Sequence, residues 1–370
     1  MNYKEVLFFI SKCLTVNHEP HNKKLVENEL IAENINWDDV VKVSTAHYVF
    51  PALYCNLKKA KFLHYLPSDL VAYMKHITDL NRERNQQIIA QAQEVNQLLL
   101  NQNITPIFLK GTGNLLEGLY EDVAERMVGD IDFIFSTEDY PKAITALENY
   151  NYTKVHETTY DFPSFKHHPR LQKEGNIAAV EIHKELLVEK YADEFNFEFI
   201  KTDVQKVNGV QVLSFKNQLA LSIIAKQIND KGYYYKDISL RNAYDVFLLS
   251  KKTNAITAFN DFDKLKHPLN CFLASCYEVF NLPKTLEYKP TDAIEKYLYT
   301  FYEYLNDGIL RNKSHKKTSR KLFINSRLAF IYKSLFDKAH RKWLLQRTTD
   351  KAWQNEKLIA LGLKKPKLSS

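Results

Sequence analysis

Apolar residues recur at helical spacing through the first hundred positions. Trp37, Val40, Val41, Val43, Ala46, Val49, Ala52, Leu53 and Leu57 follow this period, opened by Asn36, whose side chain suits a helix N-cap. The segment up to Lys12 sets a very short apolar run between Glu5 and Lys12. That run is too short for a signal h-region and lacks a small-residue cleavage site, so it is predicted to be an amphipathic helix. A long polar helix is expected from Asn81 to about Asn101, burying Ile88, Ile89, Ala92, Val95, Leu98 and Leu99.

The pattern changes at Asn103. Thr105-Pro-Ile-Phe-Leu is a short apolar run that leads at once into Lys110-Gly-Thr-Gly and a helix from about Asn114 to Tyr120. Val128-Gly-Asp-Ile-Asp-Phe-Ile-Phe alternates as a strand does. A helix over 138–150 carries Pro141 in its first turn, and Tyr152 to Val155 predicts another strand. Segments 165–172 and 177–183 flank Lys-Glu-Gly-Asn, a hairpin turn in which Gly175 supplies the positive φ. From about Asn196 the period returns to helix, over 217–228, 239–251, 269–280, 292–304 and 319–347. The expected fold is α+β: a small mixed β-sheet core at 101–200, a helical region at 1–100, a helical domain at 201–308, and a basic helix and tail at 309–370.

Composition narrows the class. At 370 residues, 45% apolar and 26% charged, with 9 Gly and 11 Pro, the chain is neither low-complexity nor broadly disordered. No stretch approaches the roughly 18 apolar residues of a membrane span. Cys13, Cys55, Cys271 and Cys276 are scattered without a Cys-x-x-Cys pair, which argues for free thiols in a reducing, cytoplasmic setting. The net charge of +7 is unevenly spread. From Ile309 to Ser370, 17 Lys and Arg face three acids, a balance of +14, which leaves the rest of the chain at −7. Such a segment suits a polyanion, nucleic acid above all, or is a solvated helix face with a Lys-rich tail.

The chemistry is concentrated in Gly129-Asp130-Ile131-Asp132-Phe133. On a strand, positions two apart share a face, so Asp130 and Asp132 project side by side among Val128, Ile131, Phe133, Ile134 and Phe135. Like charges on a buried strand repel and resist desolvation, and a divalent cation resolves both problems. The alternative is a pair of exposed acids or an N-cap. The upstream Lys110-Gly111-Thr112-Gly113 turn offers free amides, close backbone approach and a positive charge to a phosphate. It is neither a Walker A motif nor a full Gly-x-Gly-x-x-Gly. Glu181 in Ala-Val-Glu-Ile-His alternates toward the face shared by Ala179 and His183, so it reaches the same ions if its strand lies beside that of Asp130. His183 either orients Glu181 or closes the strand, the second being the expectation, and His167 and His168 are expected on the hairpin surface.

With these residues in view, the chain resembles nucleotidyltransferases of the DNA polymerase β superfamily, in particular its uncharacterised bacterial branch. The resemblance rests on Leu109-Lys110-Gly111, Tyr120, Arg126, Asp130-Ile131-Asp132 and Glu181-Ile182-His183, over roughly residues 100 to 190. The chain is also similar to nucleotidyltransferase toxins of type IV toxin–antitoxin systems. The turn departs from the usual Gly-Ser or Gly-Gly by having Gly111-Thr112. The resemblance implies that Asp130, Asp132 and Glu181 hold two Mg²⁺ ions, with Mn²⁺ as an alternative, and that Glu181 or Asp132 is the base for an acceptor hydroxyl. It also implies that Arg126 steadies an NTP triphosphate, or else makes a salt bridge with Glu121, Asp122 or Glu125. Lys226 would contact phosphate and Asp245 would align it, by the toxins' Lys, Arg, Asp succession, here Lys226, Arg241 and Asp245.

The acceptor is less well defined. RNA or tRNA held by 309–370, in a toxin or defence enzyme, is one reading. There Arg320, Lys321, Arg327, Lys333, Arg341, Lys342 and Arg347 alternate with Phe323, Phe330, Tyr332 and Trp343, aromatics expected on the buried stripe of the helix. A protein or small molecule is another, with Tyr233, Tyr234 and Tyr235 lining its pocket or merely packing. A nucleotide- or RNA-binding regulator without turnover, or a chain held by an antitoxin or other protein partner, completes the set.

Overall fold

The computed structural model describes residues 1–156 and 162–360. The Lys-rich tail of the expected basic segment lies outside the described residues. Seven strands form one mixed sheet: β1 (Ile107–Phe108), β2 (Ile131–Ile134), β3 (Thr153–Lys154), β4 (Leu171–Gln172), β5 (Val180–His183), β6 (Val204–Val207) and β7 (Val210–Leu213). Their order across the sheet is β3-β4-β5-β2-β1-β7-β6. The strand β2 runs parallel to β5 and antiparallel to β1, and β1 runs parallel to β7. Fully buried positions on β2 and β5 match two-sided coverage by helices. The fold is α+β, as expected.

The expected turn of the 165–183 hairpin is present, with Gly175 at φ +80°. The segment 204–213, expected within a helical domain, is instead a second hairpin that extends the sheet beyond residue 200. Its turn is Asn208-Gly209, both at positive φ. That dipeptide is the strongest short-range hairpin signal, flanked here by alternating valines.

Helices cover the rest. Tyr3–Thr15 is opened by a reciprocal cap between Asn2 and Glu5. The expected run from Trp37 splits into Trp37–Ala46, capped by Asn36, and Phe50–Lys59, with Pro51 in its first turn. Ser68–Leu100 begins well before the expected Asn81. The predicted 319–347 helix is also two, Gly308–Phe336 and Lys338–Thr349, divided at Asp337, whose carboxylate caps the second. Buried polar bonds join the flanks to one another. Asn22 donates to the Phe280 carbonyl at 2.9 Å, and Asn56 to the Tyr244 hydroxyl at 3.0 Å. The N-terminal and 240–250 helices therefore share one core around the sheet. Among the described residues, no helix is long and apolar enough to cross a membrane.

Candidate active site

The site begins with register. Across the parallel β2–β5 pair, Asp132 lies directly beside Glu181, and His183 follows two residues on, on the same face. Their ligand atoms lie within 4.8 Å of one another, and all three residues are buried. Two carboxylates and one imidazole at that spacing fit a hard or borderline divalent cation such as Mg²⁺ or Mn²⁺. His183 does more than close the strand, and of its two expected roles the contact with Glu181 is the one present: its Nε2 is 2.9 Å from Asp132 Oδ1 and 3.0 Å from Glu181 Oε2. The alternation of Val-Glu-Ile-His already put it on the Glu181 face. His167 is also no plain surface residue, since it bridges to His183 across the sheet and brings Nε2 within 3.7 Å of Glu181.

Lys110 is the cation of this cluster. Its ammonium donates to Asp132 Oδ1 at 2.6 Å and to Glu181 Oε2 at 3.3 Å, and lies 3.3 Å from His183 Nε2. Burial by itself would lower its pKa, but the two carboxylates outweigh burial and raise it. For Glu181, burial raises the pKa, yet the His183 hydrogen bond and the Lys110 charge hold the carboxyl well below its usual range. Asp130 stands one residue before β2, half-buried, with Arg170 Nη2 at 3.5 Å from its carboxylate. Burial raises its pKa against that guanidinium. Asp130 is thus a neighbour of the Asp132–Glu181–His183 group rather than part of its tightest set.

The turn that carries Lys110 is constrained from beneath. Lys110 itself has φ +52°, a conformation that non-glycine residues rarely adopt. It opens the helix Lys110–Glu117. A Cβ on Gly113 would lie 2.9 Å from the Phe108 carbonyl oxygen, so the helix can pack this closely to β1 only through glycine. At Gly111 a Cβ would meet Val128 at 3.0 Å and the Arg126 guanidinium at 3.5 Å. Thr112 is buried, and its hydroxyl donates to the Asp130 carbonyl at 2.9 Å, tying the turn to the β2 approach instead of facing outward.

Arg126 and Asp245 are brought together from 119 positions apart. Arg126 Nε and Nη2 donate to the Asp245 carboxylate at 3.0 and 2.9 Å, and Nη1 donates to the Met127 carbonyl at 2.8 Å. Tyr120 donates to the same carboxylate at 2.6 Å. Arg126 therefore pairs with Asp245 and not with Glu121, Asp122 or Glu125. Asp245 in turn does not align Lys226, which pairs with Asp237 at 2.9 Å on a π-turn, Ala225–Asn229. Of the three tyrosines near Lys236, Tyr233 stacks on Tyr297 and Tyr235 meets His315 edge-on, whereas Tyr234 is exposed.

A sheet that presses two carboxylates and an imidazole against a Lys-Gly turn is compatible with binding of a divalent cation. A family model described as "Uncharacterised nucleotidyltransferase" matches residues 33–284, and the chain belongs to that family. No curated protein matches the chain. Among solved structures, the chain is similar to JHP933 from Helicobacter pylori at 16% identity, covering 68% of this chain and 97% of that one, with a TM-score of 0.29. A score that low carries no argument here.

Proposed function

We propose that this nucleotidyltransferase moves an NMP from an NTP to a hydroxyl of RNA, tRNA foremost, in the cytoplasm, as a toxin or defence enzyme dependent on a divalent metal. The observation that carries the reading is the Asp132–Glu181 register with His183 and Lys110 closing on it. Asp132, Glu181 and Asp130 would hold two Mg²⁺ ions, or Mn²⁺, which supply charge neutralisation at the phosphates and a more acidic acceptor hydroxyl. The chain's own groups do the rest. The amides of Gly111 and Thr112 and the ammonium of Lys110 bind phosphate oxygens, and Lys226 is a further phosphate contact. Arg126 and Asp245 brace the turn from below. Glu181 or Asp132 takes the proton of the acceptor hydroxyl as its oxygen bonds to the α-phosphorus. The bond from that phosphorus to the oxygen bridging to the β-phosphate breaks, and pyrophosphate leaves.

RNA is favoured as acceptor by the helix Gly308–Phe336, which has no acidic residue within it. Phe330 and Trp343 are half-buried and pack on each other and on the exposed Phe162, so the helix carries no fully buried aromatic stripe among the described residues. Phe323, Tyr332 and Phe336, by contrast, are 58%, 66% and 74% exposed. Exposed rings on a basic helix suit stacked bases on a phosphate chain. The exposed aliphatic row of Ile324, Leu328, Ile331 and Leu335 on the same helix suits an acidic antitoxin or other protein partner.

The test is transfer of label from each of the four α-labelled NTPs, with Mg²⁺ or Mn²⁺, to total RNA. Label in RNA that is lost in Asp132→Asn and Glu181→Gln supports the reading. Label on protein or a small molecule would overturn the RNA acceptor. No label with any NTP, together with unchanged nucleotide binding in Asp132→Asn, would overturn transfer itself.

A further inference from the structure

The helix Gly308–Phe336 is fastened to the protein along one face. Ser314 shares a hydrogen bond with the Tyr304 hydroxyl, and His315 Nε2 donates to the Tyr235 carbonyl at 2.8 Å. Phe330 packs on Trp343, and Lys333 pairs with Glu189. Away from these anchors, Ile324, Leu328, Ile331 and Leu335 are each more than half exposed. At 3.6 residues per turn their spacing keeps all four within about 60° of arc, roughly opposite His315 and Lys333. They make a straight aliphatic ridge about 16 Å long. The same face continues toward the N-terminus as Lys313, Lys317 and Lys321, and Arg320 and Arg327 border it, all five exposed. The helix contains no Asp or Glu to oppose them.

We propose that this ridge docks an acidic amphipathic helix of a partner protein. The proposal rests on the reading of this helix as a partner-binding surface and not on the chemistry of the centre. Contiguous aliphatic side chains held in water are unfavourable for a chain that stands alone, and such patches mark interaction sites. A ridge at this spacing is what the apolar stripe of a second helix fills, with its own aliphatics at matching positions. The cations beside the ridge choose the sign of that helix. Carboxylates along its edges meet Lys317, Arg320, Lys321 and Arg327 while its stripe covers the ridge. A second copy seated ridge to ridge would set these cations against their own kind, with no acid between them. RNA would satisfy the cations, but aliphatic side chains neither stack on bases nor hydrogen-bond their edges, so the ridge would stay uncovered.

The probe is a synthetic helical peptide with leucines at i, i+4, i+7 and i+11 and glutamates beside them. Its binding to the full chain is read by fluorescence anisotropy. A control peptide has the same composition with the leucines spread round the helix. The patterned peptide should bind at least about tenfold tighter than the control. Leu328→Ser and Ile331→Ser should each weaken it about tenfold, and Lys317→Gln with Lys321→Gln should weaken it several-fold. None of these variants should lower the melting temperature, because every side chain removed is exposed. A lower melting temperature in the serine variants would give the ridge to packing within the chain and overturn the proposal. Equal binding of the two peptides, unaltered binding in the serine variants, or no binding at all overturns it as well. Dimers in sedimentation velocity that Leu328→Ser abolishes would give the ridge to a second copy, and RNA binding lost in the serine variants would give it to RNA. Either result also overturns the acidic helix. Peptide binding as expected, with no NMP transferred to any acceptor, leaves the docking surface standing while the transfer reading fails. Transfer without peptide binding has the reverse meaning.

Discussion

Asp245→Asn tests whether the Arg126–Asp245 pair is a structural brace or a spare phosphate ligand. The side chains are 8% and 2% exposed, and three Arg126 and Tyr120 donors converge on the one carboxylate. Asparagine keeps the shape but removes the charge, stranding a guanidinium that burial already opposes. Breaking a buried pair by removing one partner costs about 3–5 kcal/mol. If about 250 residues unfold together, with about 2.1 cal/mol/K per residue, that loss lowers the melting temperature by about 6–10 °C. Differential scanning calorimetry of Asp245→Asn, Arg126→Met and the double variant Arg126→Met/Asp245→Leu reads this directly. The double variant should recover at least half of the loss, because two apolar side chains leave no unpaired charge. A different outcome would refute the brace: a melting temperature within about 2 °C of wild type, with tighter NTP binding from a freed Arg126. Loss in the double variant equal to the sum of the singles would refute the pairing as well.

Other perturbations probe separate links. His47 is half-buried, and desolvation and then the Lys226 charge depress its pKa to about 4. In the unfolded chain it titrates near 6.5, so the folded state binds fewer protons between those values. Stability should therefore fall as pH drops from about 6.5 toward 4, by up to about 3 kcal/mol, and His47→Gln should flatten that slope in urea titrations. Glu117 behaves oppositely: burial raises its pKa to about 7 despite the Gln218 hydrogen bond. Its stabilising form is the protonated one, so stability declines from about pH 4.5 to 7. Glu117→Gln should gain about 1 kcal/mol at pH 8, after allowance for partial exposure. Gly113→Ala sets a methyl 2.9 Å from the Phe108 carbonyl. It should cost about 1–3 kcal/mol and displace the Lys110 turn, seen as weaker NTP binding alongside the lower melting temperature.

How far the sequence announces this site depends on the range of each signal. The Asp-x-Asp spacing, the Lys-Gly turn and Glu181 are local patterns, whereas the pairing of β2 with β5 sets Asp132 beside Glu181 and leaves Asp130 one residue before β2. His183 carries the same signal, because it lies two positions from Glu181 on an alternating strand. The 204–213 hairpin was legible too, in Asn208-Gly209, but the helical period on either side of it dominated the reading. Partnerships across the chain are a different matter. That Asp245 holds Arg126, that Asp237 takes Lys226, and that Tyr48 backs Arg241 depend on how the N-terminal helices and the 240–250 helix share a core. No spacing rule encodes contacts that only tertiary packing creates. The same limit explains the basic helix: its charge was plain, yet which aromatics face Phe162 and which face solvent was set by where Asp337 breaks the helix and folds Trp343 back onto Phe330. Local chemistry thus marks the residues of the centre, and long-range packing decides which partners the cations around it take.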